Sequence, residues 1–157
     1  RILAQRTVLP VTTARDGDRL VAGRVFVAPA GYHTLVVNNG ALALIVSGDR
    51  PPYRPSADLL LTTMAVAAGP RAIAVVLSGY GIDGATGATA VHHLGGAVIA
   101  SDKSSSAVFS MPYATINRDE IIDHVVPVGG IAALLVRLVA WVRAADAGEP
   151  GSDLDVS

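Results

Sequence analysis

The sequence predicts an α/β fold: three layers built on a mostly parallel, doubly wound sheet, with an antiparallel hairpin at one edge. Three observations lead to this class. Residues 72–78 form an apolar run rich in β-branched side chains, typical of a strand buried on both faces. A glycine-rich turn, a helical pattern and a second apolar run at 97–100 follow, as in a βαβ unit. Asn38-Asn39-Gly40 separates two further apolar arms, which is a strong hairpin signal.

The composition indicates one globular domain. The chain has 157 residues, of which 51% are hydrophobic and 16% charged, which favours a substantial core and argues against disorder. The net charge of −1 gives no electrostatic case for binding nucleic acid or an anionic membrane. There is no cysteine for a disulfide, and no apolar run reaches the roughly 20 residues that span a bilayer. We expect one domain over residues 1–147 and a flexible polar tail over 148–157.

Periodicity and breaker residues predict the elements in chain order. Strands are expected at 25–28, 33–37, 41–46, 72–78 and 97–100, and within 121–126. Helices are expected at about 59–68, 84–94, 111–117 and 131–144, with a proline-rich loop at 49–55. Either Ser56 or Asp58 can cap the first helix, and Pro112 suits the first turn of the third. Trp141 in the last helix is expected to be a core or edge anchor.

The glycine-rich turn raises one functional hypothesis by itself. Gly79, Gly81 and Gly84 match the G-x-G-x-x-G pattern of dinucleotide-binding domains, between a strand and a helix. Asp102, 18 residues after Gly84, has about the spacing of a carboxylate that holds a ribose hydroxyl. Asp83, however, places a negative charge where the helix N-terminus would receive a pyrophosphate. A dinucleotide-binding module is therefore the alternative interpretation.

A longer resemblance covers the chain up to about residue 144. The segments that carry it stand in one order, at 23–33, 54–58, 76–84, 93–102 and 105–114, and include Leu-Ser-Gly-Tyr-Gly-Ile-Asp-Gly and a Ser-Ala-Val-Phe-Ser-Met-Pro-Tyr-Ala segment. Together they resemble the catalytic domain of the CheB-type chemotaxis protein-glutamate methylesterases. The resemblance implies a carboxylic ester hydrolase that removes glutamyl methyl esters and deamidates glutamine. We expect no cofactor, and four scattered histidines without a cysteine give no spacing for a metal site.

In that family a serine attacks, a histidine takes its proton and an aspartate orients the histidine. By position, Asp83 matches the aspartate, and a carboxylate at the end of a strand suits that role. Tyr80 stands where the family usually has methionine, with its backbone near the oxyanion site. The resemblance places further residues near the oxyanion or the substrate: Gly79, Tyr80, Gly81, Ser105 and Met111.

The serine and histidine of the family have no match here. The chain begins at Arg1, at what resembles the end of a helix that follows the family histidine, so we expect a domain lacking its N-terminal part and inactive alone. Internal substitutes are not expected. Ser78 is expected to bond the backbone, and Ser104 to Ser106 to form a polar loop with substrate contact as the alternative. The histidines are expected at a helix C-terminus (His92, His93), in a loop (His33) and at the surface or as a cap (His124).

The resemblance also implies partners. The substrate would be a methylated chemoreceptor in the cytoplasm, and a receiver domain, in the same or a separate chain, would link the enzyme to two-component signalling. A catalytically silent interaction domain with the same fold is a further alternative. The hairpin at 33–46 is either an edge ribbon that extends the sheet or a docking surface for such a partner.

Overall fold

The structure, a computed structural model, describes residues 3–37, 40–46 and 55–146. Its strands are β1 (Val11–Thr13), β2 (Val25–Val27), β3 (His33–Val37), β4 (Ala41–Ile45), β5 (Ile73–Val76), β6 (Ala97–Ser101) and β7 (His124–Val126). Its α-helices are α1 (Ala57–Ala68), α2 (Ala85–His93), α3 (Ser110–Ile116) and α4 (Val128–Asp146). The predicted loop at 49–55, apart from Pro55, and the predicted tail at 148–157 lie outside the described residues.

A parallel sheet forms the centre of the fold. Its strand order is β5-β6-β7, with Val76 opposite Ala100 and Ile99 opposite His124. The core lies between this sheet and helices α1 and α2, where Ala74 and Val98 are fully buried. The predicted α/β class, with a mostly parallel sheet, flanking helices and an antiparallel hairpin, is confirmed.

The hairpin is present but does not extend the parallel sheet. Within the described residues β3 and β4 form an antiparallel sheet of their own, so the edge-ribbon interpretation is wrong. The hairpin instead packs on α1: the Val36 N–H donates to Thr63 Oγ1 at 3.0 Å, and Val36 and Leu42 form a small apolar cluster with Met64. The predicted turn residues Asn38 and Asn39 lie outside the described residues.

The start of α1 and the presence of β1 differ from the prediction for local reasons. Helix α1 begins at Ala57 because Ser56 is its N-cap, with extended backbone and a side chain that accepts the Leu59 N–H at 3.4 Å. Strand β1, which pairs in parallel with β2, was not predicted, since three residues give too little periodicity.

Helix α4 begins at Val128, three residues earlier than expected, and packs mainly through Ile131 and Leu134. Trp141 is 50% exposed, which fits an edge anchor and not a core position. In the described part of the chain, no helix combines the length and the apolar character needed to cross a bilayer.

Helices α1 and α2 approach each other closely at Gly87. A Cβ atom built there would lie 2.6 Å from Leu61 Cβ and 2.9 Å from the carbonyl oxygen of Asp58. Real Cβ atoms do not come this close to backbone, so only glycine allows the first turns of the two helices to meet.

The loop after β6 is organised by Asp102. Its carboxylate accepts the Ser104 hydroxyl at 2.7 Å, the Ser105 N–H at 2.9 Å and the Ser105 hydroxyl. These hydrogen bonds, that of the Ser105 side chain first, lower the pKa of Asp102 below its ordinary value. The Ser105 hydroxyl in turn accepts the N–H of Val128 at 2.9 Å, which ties the loop to the start of α4.

We predict that Gly87→Ala destabilises the fold by about 1–3 kcal/mol, because the added methyl group overlaps the Asp58 backbone. Helix propensity alone predicts the opposite sign, a gain of about 1 kcal/mol. Urea unfolding gives the free energy of unfolding, with Thr86→Ala at an exposed position of α2 as the matched control. A Gly87→Ala protein as stable as the wild type would contradict the close approach.

We predict that Asp102 stabilises the fold at neutral pH and loses this effect in acid. A carboxyl whose pKa is lower in the folded state contributes above its unfolded pKa, and the contribution disappears as the pH falls through the folded pKa. Asp102→Asn should therefore lower the melting temperature at pH 7, and the difference from the wild type should shrink as the pH falls through the folded-state pKa of Asp102. Asp119→Asn, at an exposed turn, is the control; a difference between wild type and Asp102→Asn that is constant with pH would refute the linkage.

Candidate active site

The glycine turn carries the chain from the end of β5 to the start of α2. Gly81 and Gly84 have φ angles of +84° and +99°, in the region that glycine adopts without strain. A side chain at Gly84 would also touch Val76 and Ala57, at 3.6 Å and 3.7 Å from its Cβ. The turn therefore places Asp83 directly beside the N-terminus of α1.

The carboxylate of Asp83 caps helix α1. Its Oδ2 accepts the Ala57 N–H at 2.7 Å, and its Oδ1 accepts the Asp58 N–H at 2.9 Å and the Ser56 hydroxyl at 3.0 Å. Three donors thus hold a half-buried carboxylate whose four lone-pair positions allow one more partner. The free position is on Oδ2, which has one recorded donor where Oδ1 has two.

Asp58, in helix α1, in turn caps the N-terminus of helix α2. Its Oδ1 accepts the N–H groups of Gly84 at 2.9 Å and of Gly87 at 2.8 Å. Each helix N-terminus is therefore capped by an aspartate from the entrance of the other helix. These N–H groups are the ones a dinucleotide phosphate would need, and Asp102, the expected ribose ligand, is bonded to Ser104 and Ser105. The geometry thus speaks against the dinucleotide alternative.

A mostly apolar cleft opens beside Asp83. Its volume is about 670 Å³. Tyr80 and Ile82 project at its mouth with 86% and 69% of their surface exposed. The cleft is lined by Ser56, Asp58, Leu59, Tyr80, Gly81, Ile82 and Asp83. Exposed apolar side chains around a fixed carboxylate are typical of a surface that receives another molecule.

The turn is also tied to Val108 and to the first two residues of α3. The Gly79 N–H donates to the Val108 carbonyl at 3.0 Å, and the Gly79 carbonyl accepts the Met111 N–H at 3.1 Å and the Ser110 hydroxyl at 2.9 Å. A Cβ at Gly79 would overlap the side chain of Met111. Met111 therefore packs over Gly79, and the Gly79 N–H is already used.

The serines that could replace the family nucleophile have structural partners. The Ser78 hydroxyl accepts the Val108 N–H at 2.9 Å, as expected for a serine that bonds the backbone. Ser105 is bonded to Asp102 and Val128, and Ser106 donates to the Asp102 carbonyl at 2.6 Å. The polar-loop interpretation of this segment is thus supported by its hydrogen bonds.

The histidines lie on other parts of the fold. His92 and His93 occupy the last turn of α2, as expected, with their ring centroids 5.5 Å apart. His124 is half-buried at the start of β7. His33, expected in a loop, is instead the fully buried first residue of β3. The partners recorded for Asp83 include no histidine, and the described ranges contain no group of three side chains able to hold a metal ion.

Asp58 is the site residue that sequence reasoning missed. The sequence offers Ser56 and Asp58 as alternative caps for one helix, whereas in the structure Ser56 caps α1 and Asp58 caps α2. The only signal in the sequence is the pair of glycines at 84 and 87, which leaves room for a carboxylate from a neighbouring element.

Comparisons with known proteins identify the family of this chain. The CheB methylesterase family model matches residues 1–135. A protein-glutamate methylesterase/protein-glutamine glutaminase of Paramagnetospirillum magneticum is 37% identical over 84% of this chain and 37% of its own length. One from Myxococcus xanthus is 40% identical over 82% of this chain and 38% of its own length. This chain thus spans less than two fifths of the length of either relative.

A solved structure gives the same answer for the fold. The crystal structure of the Thermotoga maritima CheB methylesterase catalytic domain matches with a TM-score of 0.82 and 35% identity, over 88% of this chain and 74% of that one. The residues matched by the family model include the glycine turn and both aspartates. The chain belongs to the CheB methylesterase family.

Proposed function

We propose that the protein containing this chain is a protein-glutamate methylesterase and protein-glutamine glutaminase that acts on methylated chemoreceptors in the cytoplasm. The observation that carries the proposal is the fixed Asp83 carboxylate, held by three donors at the edge of an apolar cleft. The similarity to protein-glutamate methylesterases/protein-glutamine glutaminases supports the reaction.

Asp83 would orient the catalytic histidine. A histidine N–H that approaches from the cleft meets the free position on Oδ2, while Ala57, Asp58 and Ser56 keep the carboxylate from turning. The aspartate would hold one ring tautomer and stabilise the imidazolium that forms as the serine attacks. The ester then loses methanol and water releases the acid; with glutamine the leaving group is ammonia.

The glycine turn would stabilise the oxyanion. The Gly79 N–H is used by Val108, whereas among the described residues the backbone N–H groups of Tyr80 and Gly81 have no recorded acceptor. We assign the oxyanion contact to the Tyr80 backbone N–H, with Gly81 providing the positive φ that turns the chain there. Met111, packed over Gly79, would support this backbone, and Ser105 would hold the loop at the rim.

The nucleophile and the histidine would come from residues beyond these 157. The relatives are longer than this chain, and the described serines and histidines have other positions and partners. The Tyr80 ring, exposed at the mouth of the cleft, would contact the receptor. A receiver domain, in the same or another chain, would be the regulatory partner.

We predict that Asp83→Asn lowers the turnover of the full-length protein by about 10³–10⁴-fold, since the asparagine amide no longer favours the required histidine tautomer. Methanol release from a methylated chemoreceptor measures the turnover. The matched control is Asp123→Asn, whose carboxylate also accepts a backbone N–H, from Val98 at 2.7 Å, but at the opposite edge of the sheet.

Three outcomes are informative for this pair. Loss in Asp83→Asn with activity retained in Asp123→Asn supports the proposal. If Asp83→Asn retains turnover, the chain still belongs to the family, but Asp83 does not orient the catalytic histidine. Absence of methanol release by the wild type, also in an activated state, favours the catalytically silent interaction domain.

We also predict that residues 1–157 alone release no methanol above the uncatalysed rate, because the recorded partners of Asp83 include no histidine. The same assay tests this, with far-UV circular dichroism to show that the chain is folded. Sustained turnover by this segment would mean that a serine and a histidine within it form the site.

A further inference from the structure

We infer that Asp58 is a positioning residue for Asp83, an inference that rests on the proposed function. The argument begins with the contacts that locate Asp83. Its carboxylate is held by α1, but its backbone belongs to the turn that enters α2. The position of Asp83 therefore depends on how the start of α2 is fixed relative to α1.

Asp58 supplies that connection. It is the second residue of α1, and its Oδ1 accepts the N–H of Gly84, which directly follows Asp83, and the N–H of Gly87 in the first turn of α2. One residue thus donates its backbone N–H to Asp83 and accepts two N–H groups from the residues after Asp83. The backbone N–H of Asp58 therefore holds the Asp83 side chain, while the Asp58 carboxylate holds the backbone that follows Asp83.

Gly84 and Gly87 are the positions at which a side chain would disturb this arrangement. Gly87 lies against the Asp58 backbone, with a built Cβ only 3.0 Å from Asp58 Cα, so the carboxylate reaches N–H groups on the first turn of α2. Gly84 lies between Val76 and Ala57, where a side chain would contact both residues. A change at Asp58 would release the start of α2 and allow Asp83 to shift, and a shift of about 1 Å in a catalytic group can cost about 100-fold in rate.

The role is one of geometry and not of charge. Both accepted hydrogen bonds end on Oδ1, and an asparagine at position 58 keeps that oxygen. Asp58→Asn should therefore preserve the position of Asp83, whereas Asp58→Ala removes the acceptor. Asp58→Glu keeps the charge but moves the carboxylate by one methylene, so it should behave more like the alanine variant.

The experiment compares these variants in the full-length protein by methanol release from a methylated chemoreceptor. We expect Asp58→Ala to lower kcat about 10–100-fold with KM within about twofold, and Asp58→Asn to restore most of kcat. Because a loosened Asp83 stabilises the imidazolium less, the pKa of the catalytic histidine falls and the acidic limb of the rate profile moves to lower pH in Asp58→Ala.

A purely structural role would not give this pattern. Asp123→Ala, which removes the acceptor of the Val98 N–H, controls for a lost cap elsewhere and should lower the melting temperature without moving the acidic limb. Wild-type kcat and pH profile in Asp58→Ala would overturn the inference, as would the same shift in Asp123→Ala. Should Asp58→Ala fail to fold, wild-type kinetics in Asp58→Glu would overturn it, and a reduced kcat with a shifted limb would support it.

Hydrogen exchange separates this inference from the proposed function. If the wild type releases no methanol, the proposed function fails, but the Ala57 N–H still reports on Asp83 because it donates to Oδ2 at 2.7 Å. Faster exchange of that N–H in Asp58→Ala, and not in Asp58→Asn, would support the positioning role. Unchanged exchange in Asp58→Ala would overturn it.

Discussion

The N-termini of α1 and α2 meet at the edge of the cleft, and each is capped by an aspartate from the other helix's entrance. Asp83 accepts the first two N–H groups of α1, and Asp58 accepts N–H groups from the first turn of α2. The glycine turn, the packing of the two helices and the direction of the Asp83 carboxylate all depend on this exchange. Without it, four helix N–H groups would lack these partners beside a cleft.

Two neighbouring carboxylates repel each other unless their surroundings offset the negative charge. Here each lies at the positive end of a helix dipole, equivalent to about half a unit charge, and accepts N–H groups that a helix leaves unpaired. Hydrogen bonds to charged acceptors are stronger than neutral ones. The helix termini therefore make it possible to hold a half-buried carboxylate without a basic side chain. An arginine or lysine partner would compete with the proposed histidine for the remaining position on Oδ2.

Much of the fold could be predicted because its signals are local. Strands β5 and β6 follow from apolar runs, helix α2 from the glycine turn before it, and the hairpin from its turn sequence. The relation between the hairpin and the sheet is different, since it depends on long-range packing on α1 and not on any pattern within 33–46. The same holds for His33: its turn-like neighbours suggested a loop, while the β3 register buries it.

The candidate site shows the same difference between local signals and long-range packing. Asp83 could be predicted as a candidate site residue because it stands in a segment that resembles a known family. Asp58 could not, because its contacts to Gly84 and Gly87 span 26 and 29 residues and exist only when two helices pack. Nothing in a helix-start sequence tells whether a carboxylate caps its own helix or a neighbour.

This turn matches the dinucleotide-binding pattern, but the reciprocal caps occupy the N–H groups that would bind a phosphate. In a phosphate-binding turn, glycines bring backbone N–H groups close to a ligand, and the helix dipole attracts it. Here Gly84 and Gly87 bring the same groups close to Asp58, so the anion at the helix N-terminus belongs to the chain. The positive end of α2 then serves to fix Asp83 beside the cleft. What separates the two uses of one glycine pattern is the carboxylate before its last glycine and a second carboxylate on the preceding helix.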